Sequence, residues 1–268
     1  MRVLPMHLIC RLHLRMMCLH KHSYPLIFTY HGIESGFHIG LNIIHPDKFR
    51  KHIQYIANIN QSAQKDKHIS IAFDDGYESV YANAFPIMEE YNLKGIIFTI
   101  SGYIGKTNDW DVTFGVNKTM HLTKSQLLTL SEHGWEIGSH SHSHRSFKWL
   151  SNDKIKDEVV TSKRIIENIT GKEVNSFCLP FGDYTRKAIE IIEEAGFINL
   201  FMQLPLLNKA VKFSKIQFQY CRSIYSIDSV KSLQNKYQNK YQNINSEHLK
   251  ESFIHSFSTT TVLAKEML

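Results

Sequence analysis

The sequence has few cysteines for its length, and they are dispersed. Cys10, Cys18, Cys178 and Cys221 are the four among 268 residues, and no two of them form a CxxC pair. This spacing predicts neither a zinc knuckle nor a disulfide framework. We therefore expect reduced and mostly buried thiols.

Long apolar runs are also missing, and so is a concentrated basic surface. Arg2, Arg11 and Arg15 interrupt every apolar run in residues 1–22, so we predict no signal peptide and no membrane span. The formal net charge is +6, but the basic residues are scattered rather than interleaved with aromatic residues, which argues against nucleic-acid binding. We therefore expect a cytoplasmic protein, and the sequence leaves its oligomeric state open.

The chain does contain a regular alternation of strand-like and helix-like segments. The apolar patterns predict strands over residues 26–31, 68–74, 94–100, 135–139, 175–179, 197–202 and 217–224, and helices over residues 46–60, 78–91, 123–133, 151–170 and 186–195. Such an alternation predicts an α/β fold with a parallel sheet. Seven units in this length suggest a closed or nearly closed barrel, in which functional residues gather at the C-terminal ends of the strands.

Two adjacent carboxylates end the second predicted strand. Asp74 and Asp75 follow a buried apolar run and precede Gly76, which lets the backbone turn sharply. Neighbouring carboxylates repel each other unless a cation or a shared proton offsets the repulsion. A metal site resolves this conflict, with one carboxylate on the metal and the other free to act as a base.

A pair of histidines follows the fourth predicted strand. His140 and His144 are the only two of the 16 histidines that lie four residues apart, and in a helical turn they would share one face. Such a pair can bind one metal through imidazole nitrogens at roughly 2.0–2.1 Å. Two histidines and one carboxylate would leave coordination positions open for water and substrate.

Further unusual residues end two other predicted strands. His31 follows the first strand, and Pro180-Phe181-Gly182 stops the fifth. Because parallel strands of a barrel end on the same side, we expect these residues to lie near the acidic pair and the two histidines.

The order and spacing of these segments resemble a known family. Phe73-Asp74-Asp75-Gly76, then Gly138 to His144, then Pro180-Phe181-Gly182 resemble the first three motifs of the polysaccharide deacetylases with a NodB homology domain, carbohydrate esterase family 4. The resemblance covers about residues 25–224. The opening Tyr30-His31-Gly32 resembles the branch that acts on poly-N-acetylglucosamine and other surface polysaccharides.

The resemblance implies a fold and an activity. The fold would be a distorted (β/α)7 TIM-like barrel over residues 25–225, with an N-terminal extension at residues 1–24 and a peripheral, helical C-terminal tail at residues 226–268. The activity would be the metal-dependent removal of N-acetyl groups from an N-acetylated oligo- or polysaccharide. Zinc is the metal we expect, although two histidines and an aspartate also bind cobalt, nickel, manganese or iron.

The resemblance also assigns roles by position. It makes Asp74 the general base, and it makes Asp75, His140 and His144 the metal ligands. The backbone N–H of Phe181 would help to hold the oxyanion.

The general acid is harder to assign. The family's late Leu-x-His motif is not found, because His248 and His255 in the polar tail do not fit it. We therefore take His31 as the better candidate, against the alternative that it merely hydrogen-bonds nearby backbone.

Two departures from the family's pattern keep other functions open. Cys178 stands where the family usually carries an arginine that orients the base, and Arg222 is a candidate substitute. Together with the missing late histidine, this leaves a saccharide-binding protein without turnover as an alternative. A hydrolase of another non-peptide carbon–nitrogen bond is a third reading. Trp110 and Phe114, in an insertion at residues 102–120, form either a sugar-stacking wall or a small core of the loop.

Overall fold

The structure is a computed structural model that describes residues 26–36, 38, 41–63, 67–108, 119–203 and 215–238. Several features of the sequence analysis lie outside the described residues. They are the extension at residues 1–24, most of the tail beyond residue 238, Cys10, Cys18, Trp110, Phe114, His248 and His255.

Strands and helices alternate along the chain as the apolar patterns predict. The strands are β1 (Ile27–Tyr30), β2 (Gly32–Ile33), β3 (Ile43–Ile44), β4 (Ser70–Phe73), β5 (Ile96–Thr99), β6 (Glu136–Ser139), β7 (Ser176–Cys178), β8 (Asn199–Gln203) and β9 (Gln217–Ser223). The helices are α1 (Pro46–Ser62), α2 (Phe85–Glu90), α3 (Lys124–Glu132), α4 (Asn152–Thr170), α5 (Arg186–Glu194) and α6 (Val230–Tyr237).

Seven of these strands form a closed parallel barrel in the order β1-β4-β5-β6-β7-β8-β9. The barrel closes where β1 pairs with β9, with Ile27 opposite Cys221. The predicted seven-stranded α/β barrel is therefore confirmed. The short parallel pair of β2 and β3 was not predicted, because strands of two residues carry no readable periodicity.

The inside of the barrel is filled by apolar side chains. Phe98 and Phe201 lie with their ring centroids 4.7 Å apart, and Cys178 and Cys221 belong to the same buried cluster. Gly138 makes room for them, since a Cβ at this position would lie 2.6 Å from the ring of Phe98. The barrel is thus a packed core rather than a channel.

The outer face of the barrel packs against the helices, and most helix ends follow from local signals. Gly171 ends α4 in the left-handed region with φ 66°, as expected for a glycine that stops a helix. Ser151 occupies the N-cap position of α4, but its side chain makes no capping hydrogen bond. Thr123 and Gln126 form a capping box at the start of α3.

The predicted helix over residues 78–91 is interrupted. Residues Val80–Ala84 form a π-helical turn, and the α-helix begins only at Phe85. Pro86 lies in the first turn of α2, where its missing N–H costs no helical hydrogen bond. The apolar period continues across both segments, so the sequence pattern did not reveal the change of helix type.

The described part of the tail is a helix, α6, that is anchored to the barrel. The side chain of Lys236 is fully buried, and its Nζ donates to the carbonyl oxygen of Ser223 at 2.8 Å. The same Nζ lies 3.5 Å from a carboxylate oxygen of Asp228. Among the described residues, no helix combines the length and the apolar composition of a membrane span.

We expect the substitution Lys236→Met to destabilise the protein. It leaves the fully buried carboxylate of Asp228 without this cation, and breaking a buried ion pair costs about 3–5 kcal/mol of unfolding free energy. Urea denaturation followed by circular dichroism measures the loss. Lys231→Met, at an exposed position of the same helix, is the control and should change stability by less than about 0.5 kcal/mol. Equal stability of the two variants would contradict the anchoring role of Lys236.

Candidate active site

The predicted site residues that follow the strands come together at one end of the barrel. The N–H of Asp74 donates to the carbonyl oxygen of Tyr30 at 2.9 Å, so His31 and Asp74 end neighbouring strands side by side. His140 follows β6 and Pro180 follows β7 at the same end. Side-chain atoms of Asp74 and His140 lie within 4.8 Å of each other, so the ends of β4 and β6 face the same opening.

Three side-chain atoms converge on one point at this end. Nε2 of His140 and Nε2 of His144 lie 3.2 Å apart, and Oδ1 of Asp75 lies 3.5 Å from each of them. All three residues are buried. Ligands bonded to a tetrahedral zinc at 2.0–2.2 Å are separated by about 3.3–3.6 Å, so this donor set fits one metal ion.

The hydrogen bonding of His140 suits metal binding. Its Nδ1 lies 2.9 Å from the carbonyl oxygen of Cys178, so Nδ1–H is the donor and the lone pair of Nε2 faces Asp75. Burial lowers the pKa of His140, with the charge of Asp75 acting in the opposite direction. The neutral imidazole, which is the form that binds a metal, is therefore favoured.

The side chain of Asp74 contacts Cys178, whereas that of Asp75 contacts the two histidines. Oδ1 of Asp74 accepts a hydrogen bond from the thiol of Cys178 at 3.6 Å. Burial, and then the charge of Asp75, raises the pKa of Asp74 to about 8. A divalent cation bound beside it would act against this rise. Burial likewise raises the pKa of the Cys178 thiol well above its ordinary value, so the S–H is retained.

The backbone around the site is unusually strained. Among the described residues that are not glycine, five have positive φ, and four of these lie in the site: Asp75 at 68°, Ser141 at 67°, His144 at 56° and Phe181 at 57°. The expectation that a helical turn brings His140 and His144 together is wrong, because residues 140–144 are not helical. Left-handed turns aim the two rings at each other instead.

Gly76 shows why the strand end needs a glycine. Its φ is 69°, and a Cβ there would lie 2.8 Å from Oγ1 and 3.0 Å from Cα of Thr99. Both the positive φ and the close approach of β5 therefore exclude a larger residue.

The histidine turn is held by residues that the sequence analysis did not identify. The N–H groups of His142 and Ser143 donate to Oε2 of Glu158 at 2.9 and 2.7 Å, and the hydroxyl of Ser143 donates to the same carboxylate. Oγ of Ser141 accepts from the N–H of His144 at 3.0 Å. Glu158 lies on α4 among several other acids, so no local signal distinguishes it.

His121 supports the other side of the site and was also missed. Its Nδ1 lies 2.9 Å from the carbonyl oxygen of Asp75, and its ring contacts those of Tyr77 and Tyr103, at centroid distances of 5.2 and 5.5 Å. His142, by contrast, points away from the three metal-binding candidates, with its Nδ1 2.9 Å from Oγ of Ser101. The hydrogen bond from His121 thus holds the left-handed backbone of Asp75.

The third motif forms a tight turn next to the histidines. Phe181 has φ 57° and ψ 3°, and its ring centroid lies 4.6 Å from that of His144. Oγ of Ser146 donates to Oδ2 of Asp183 at 3.0 Å, which ties the histidine turn to the Pro-Phe-Gly turn. The oxyanion role of the Phe181 amide stays a prediction.

The expectation that Arg222 substitutes for the family's arginine is wrong. Cys221 belongs to the cluster inside the barrel, and side chains alternate along β9, so Arg222 lies on the outer face. Its guanidinium donates to the carbonyl oxygen of Lys236 in α6. It therefore cannot orient Asp74, which lies at the mouth of the interior.

Curated relatives share part of this chain. The YxkH protein of Bacillus subtilis is 26% identical over 183 residues, which is 64% of this chain and 61% of that protein. The poly-beta-1,6-N-acetyl-D-glucosamine N-deacetylase of Staphylococcus epidermidis is 24% identical over 198 residues, 70% of this chain and 65% of that protein. The chain thus spans less than two thirds of the length of these relatives.

Solved structures show the same fold. The deacetylase PplD of Streptococcus pyogenes, in complex with acetate, has a TM-score of 0.63 and 18% identity over 79% of this chain and 96% of that chain. IcaB from Ammonifex degensii has a TM-score of 0.64 and 16% identity over 81% of this chain and 98% of that chain.

A family model gives the classification. The polysaccharide deacetylase model matches residues 61–200, more than half of the chain, and the match contains Asp74, Asp75 and the two histidines of the convergent site. The protein therefore belongs to the polysaccharide deacetylase family.

Proposed function

We propose that this protein is a metal-dependent hydrolase that removes N-acetyl groups from a saccharide, most simply a polymer of N-acetylglucosamine. The observation that carries the proposal is the convergence of Oδ1 of Asp75 and the two Nε2 atoms of His140 and His144 within 3.2–3.5 Å. Asp74 lies directly beside this group at the open end of the barrel. The staphylococcal relatives, named as poly-beta-1,6-N-acetyl-D-glucosamine N-deacetylases, suggest the polymer to test first.

The metal would be held by Asp75, His140 and His144, and zinc suits two imidazoles and one carboxylate. When bound, a divalent metal supplies Lewis acidity that polarises an acyl carbonyl and makes water more acidic. The hydrogen bond from Nδ1 of His140 to the carbonyl oxygen of Cys178 orients the ring so that Nε2 would face the metal.

The chain's own residues would carry out the proton transfers. Asp74 takes a proton from the water that attacks the acetyl carbon, as a general base. The N–H of Phe181 donates to the carbonyl oxygen as negative charge develops there. His31 gives a proton to the nitrogen as the carbon–nitrogen bond breaks, which yields acetate and a free amine.

Acetate release tests the proposal. The full chain reconstituted with zinc is expected to release acetate from β-1,6-linked N-acetylglucosamine oligomers, and a chelator should stop the release. Asp74→Asn keeps the size of the side chain but removes the base, so kcat should fall by roughly 100- to 10,000-fold with zinc content unchanged. Full activity of this variant would refute the role of Asp74.

The same assay separates the alternatives. Oligosaccharide binding without acetate release from β-1,6- or β-1,4-linked oligomers would favour a saccharide-binding protein. Release from a small N-acyl compound but from no saccharide would favour another carbon–nitrogen hydrolase.

Zinc content tests the assignment of the ligands. His144→Ala removes one of the three proposed metal ligands. Zinc affinity should fall by at least about 100-fold, because losing a residue that only hydrogen-bonds to a ligand already costs about 10–100-fold. His142→Ala is the matched control in the same turn, since its ring bonds Ser101 and not the group. It should keep one zinc per chain by elemental analysis, and equal loss from both variants would contradict the assignment.

A change of leaving group tests His31 as the general acid. An amine leaves only with a proton, whereas the nitrophenolate of an aryl acetate leaves without one. His31→Ala should therefore lower kcat on N-acetyl substrate by roughly 100-fold or more and leave aryl acetate hydrolysis nearly unchanged. Asp74→Asn should slow both reactions. A similar loss on both substrates in His31→Ala would argue for a structural role.

A further inference from the structure

We propose that Cys178 is the residue that positions Asp74, through a hydrogen bond from its thiol to the carboxylate. This inference rests on the proposed role of Asp74 as the base. It concerns the position at which this chain departs from its family's arginine.

The contact is direct and buried. Sγ of Cys178 lies 3.6 Å from Oδ1 of Asp74, and the two side chains are only 5% and 7% exposed. Among the described residues, Cys178 is the one side chain that donates a hydrogen bond to the Asp74 carboxylate. Leaving a buried carboxylate oxygen without a hydrogen-bond donor costs about 1–3 kcal/mol of stability. The thiol of Cys178 supplies the donor at this position.

Cys178 contacts both halves of the site with different atoms. Its thiol donates a hydrogen bond to Asp74, and its backbone carbonyl accepts one from Nδ1 of His140 at 2.9 Å. A substitution at this position removes the first contact and keeps the second, because every residue has a backbone carbonyl. Variants of Cys178 therefore separate the orientation of the base from the orientation of a metal ligand.

A competing arrangement has to be distinguished from this one. Ligand atoms of Asp74, His140 and Cys178 lie within 4.8 Å of one another, so the sulfur is also within reach of a metal. A thiolate bound to a metal has no S–H, whereas the positioning role requires the S–H to persist when zinc is bound. The state of the sulfur in the zinc-loaded protein thus separates the two arrangements.

The first measurement is kinetic. In the zinc-loaded full chain, Cys178→Val should lower kcat for acetate release about tenfold, with KM and zinc content unchanged, because the base is present but less well held. Cys178→Ser keeps a donor and should be more active than Cys178→Val. Cys221→Val, which changes a buried thiol of the same interior cluster, is the matched control and should retain wild-type kcat.

The second measurement does not depend on turnover. The infrared difference spectrum of wild type minus Cys178→Val isolates the S–H stretch of Cys178. We expect this band to persist on zinc loading and to move to higher frequency in Asp74→Asn, in which the carboxylate acceptor is replaced by a weaker amide.

The outcomes distinguish this inference from the proposed function. A band that does not move in Asp74→Asn, or equal kcat values for Cys178→Val and wild type, would overturn the positioning role. Loss of the band on zinc loading would overturn it in favour of a metal-bound thiolate. Wild-type protein that releases no acetate would count against the proposed function, while the infrared band would still decide whether Cys178 holds Asp74.

Discussion

The pairing of β1 with β9 is the interaction on which the site depends. It closes the sheet, so that strands distant in sequence end around one opening rather than along an edge. His31, Asp74 and His140 each follow a strand of this ring by one residue. An open sheet of the same strands would set the ends of β1, β4 and β6 along an edge instead of around one opening, where side-chain atoms of Asp74 and His140 lie within 4.8 Å of each other.

The closed ring brings the side chains near one another, but their final directions come from strained backbone. Asp75 and His144 both adopt left-handed conformations that few residues other than glycine favour. Hydrogen bonds offset this strain from outside the motif, with Glu158 holding the histidine turn and His121 holding the carbonyl of Asp75. The stability of the site is therefore supplied by α4 and by the segment before α3.

The sequence predicted the barrel and the strand ends that carry the candidate site residues, but it did not reveal Glu158 and His121, which hold the backbone of the site. Strand ends can be read from apolar runs, and Asp74 and Asp75 stand out because two adjacent acids rarely follow such a run. The directions of side chains could not be read in this way, because the left-handed turn at His144 is imposed by contacts with residues distant in sequence. Arg222 shows the same limit, since its face of β9 depends on a strand register that composition does not reveal.

The packed interior gives the barrel only one usable end. Phe98 and Phe201 pack against each other inside the ring of strands, so side chains fill the interior below the strand ends. Whatever binds at the strand ends therefore enters and leaves through the same opening. On the proposed function, a saccharide chain would lie across this opening, and the acetate released from it would leave through the same opening. Substrate entry and acetate departure would therefore share one opening.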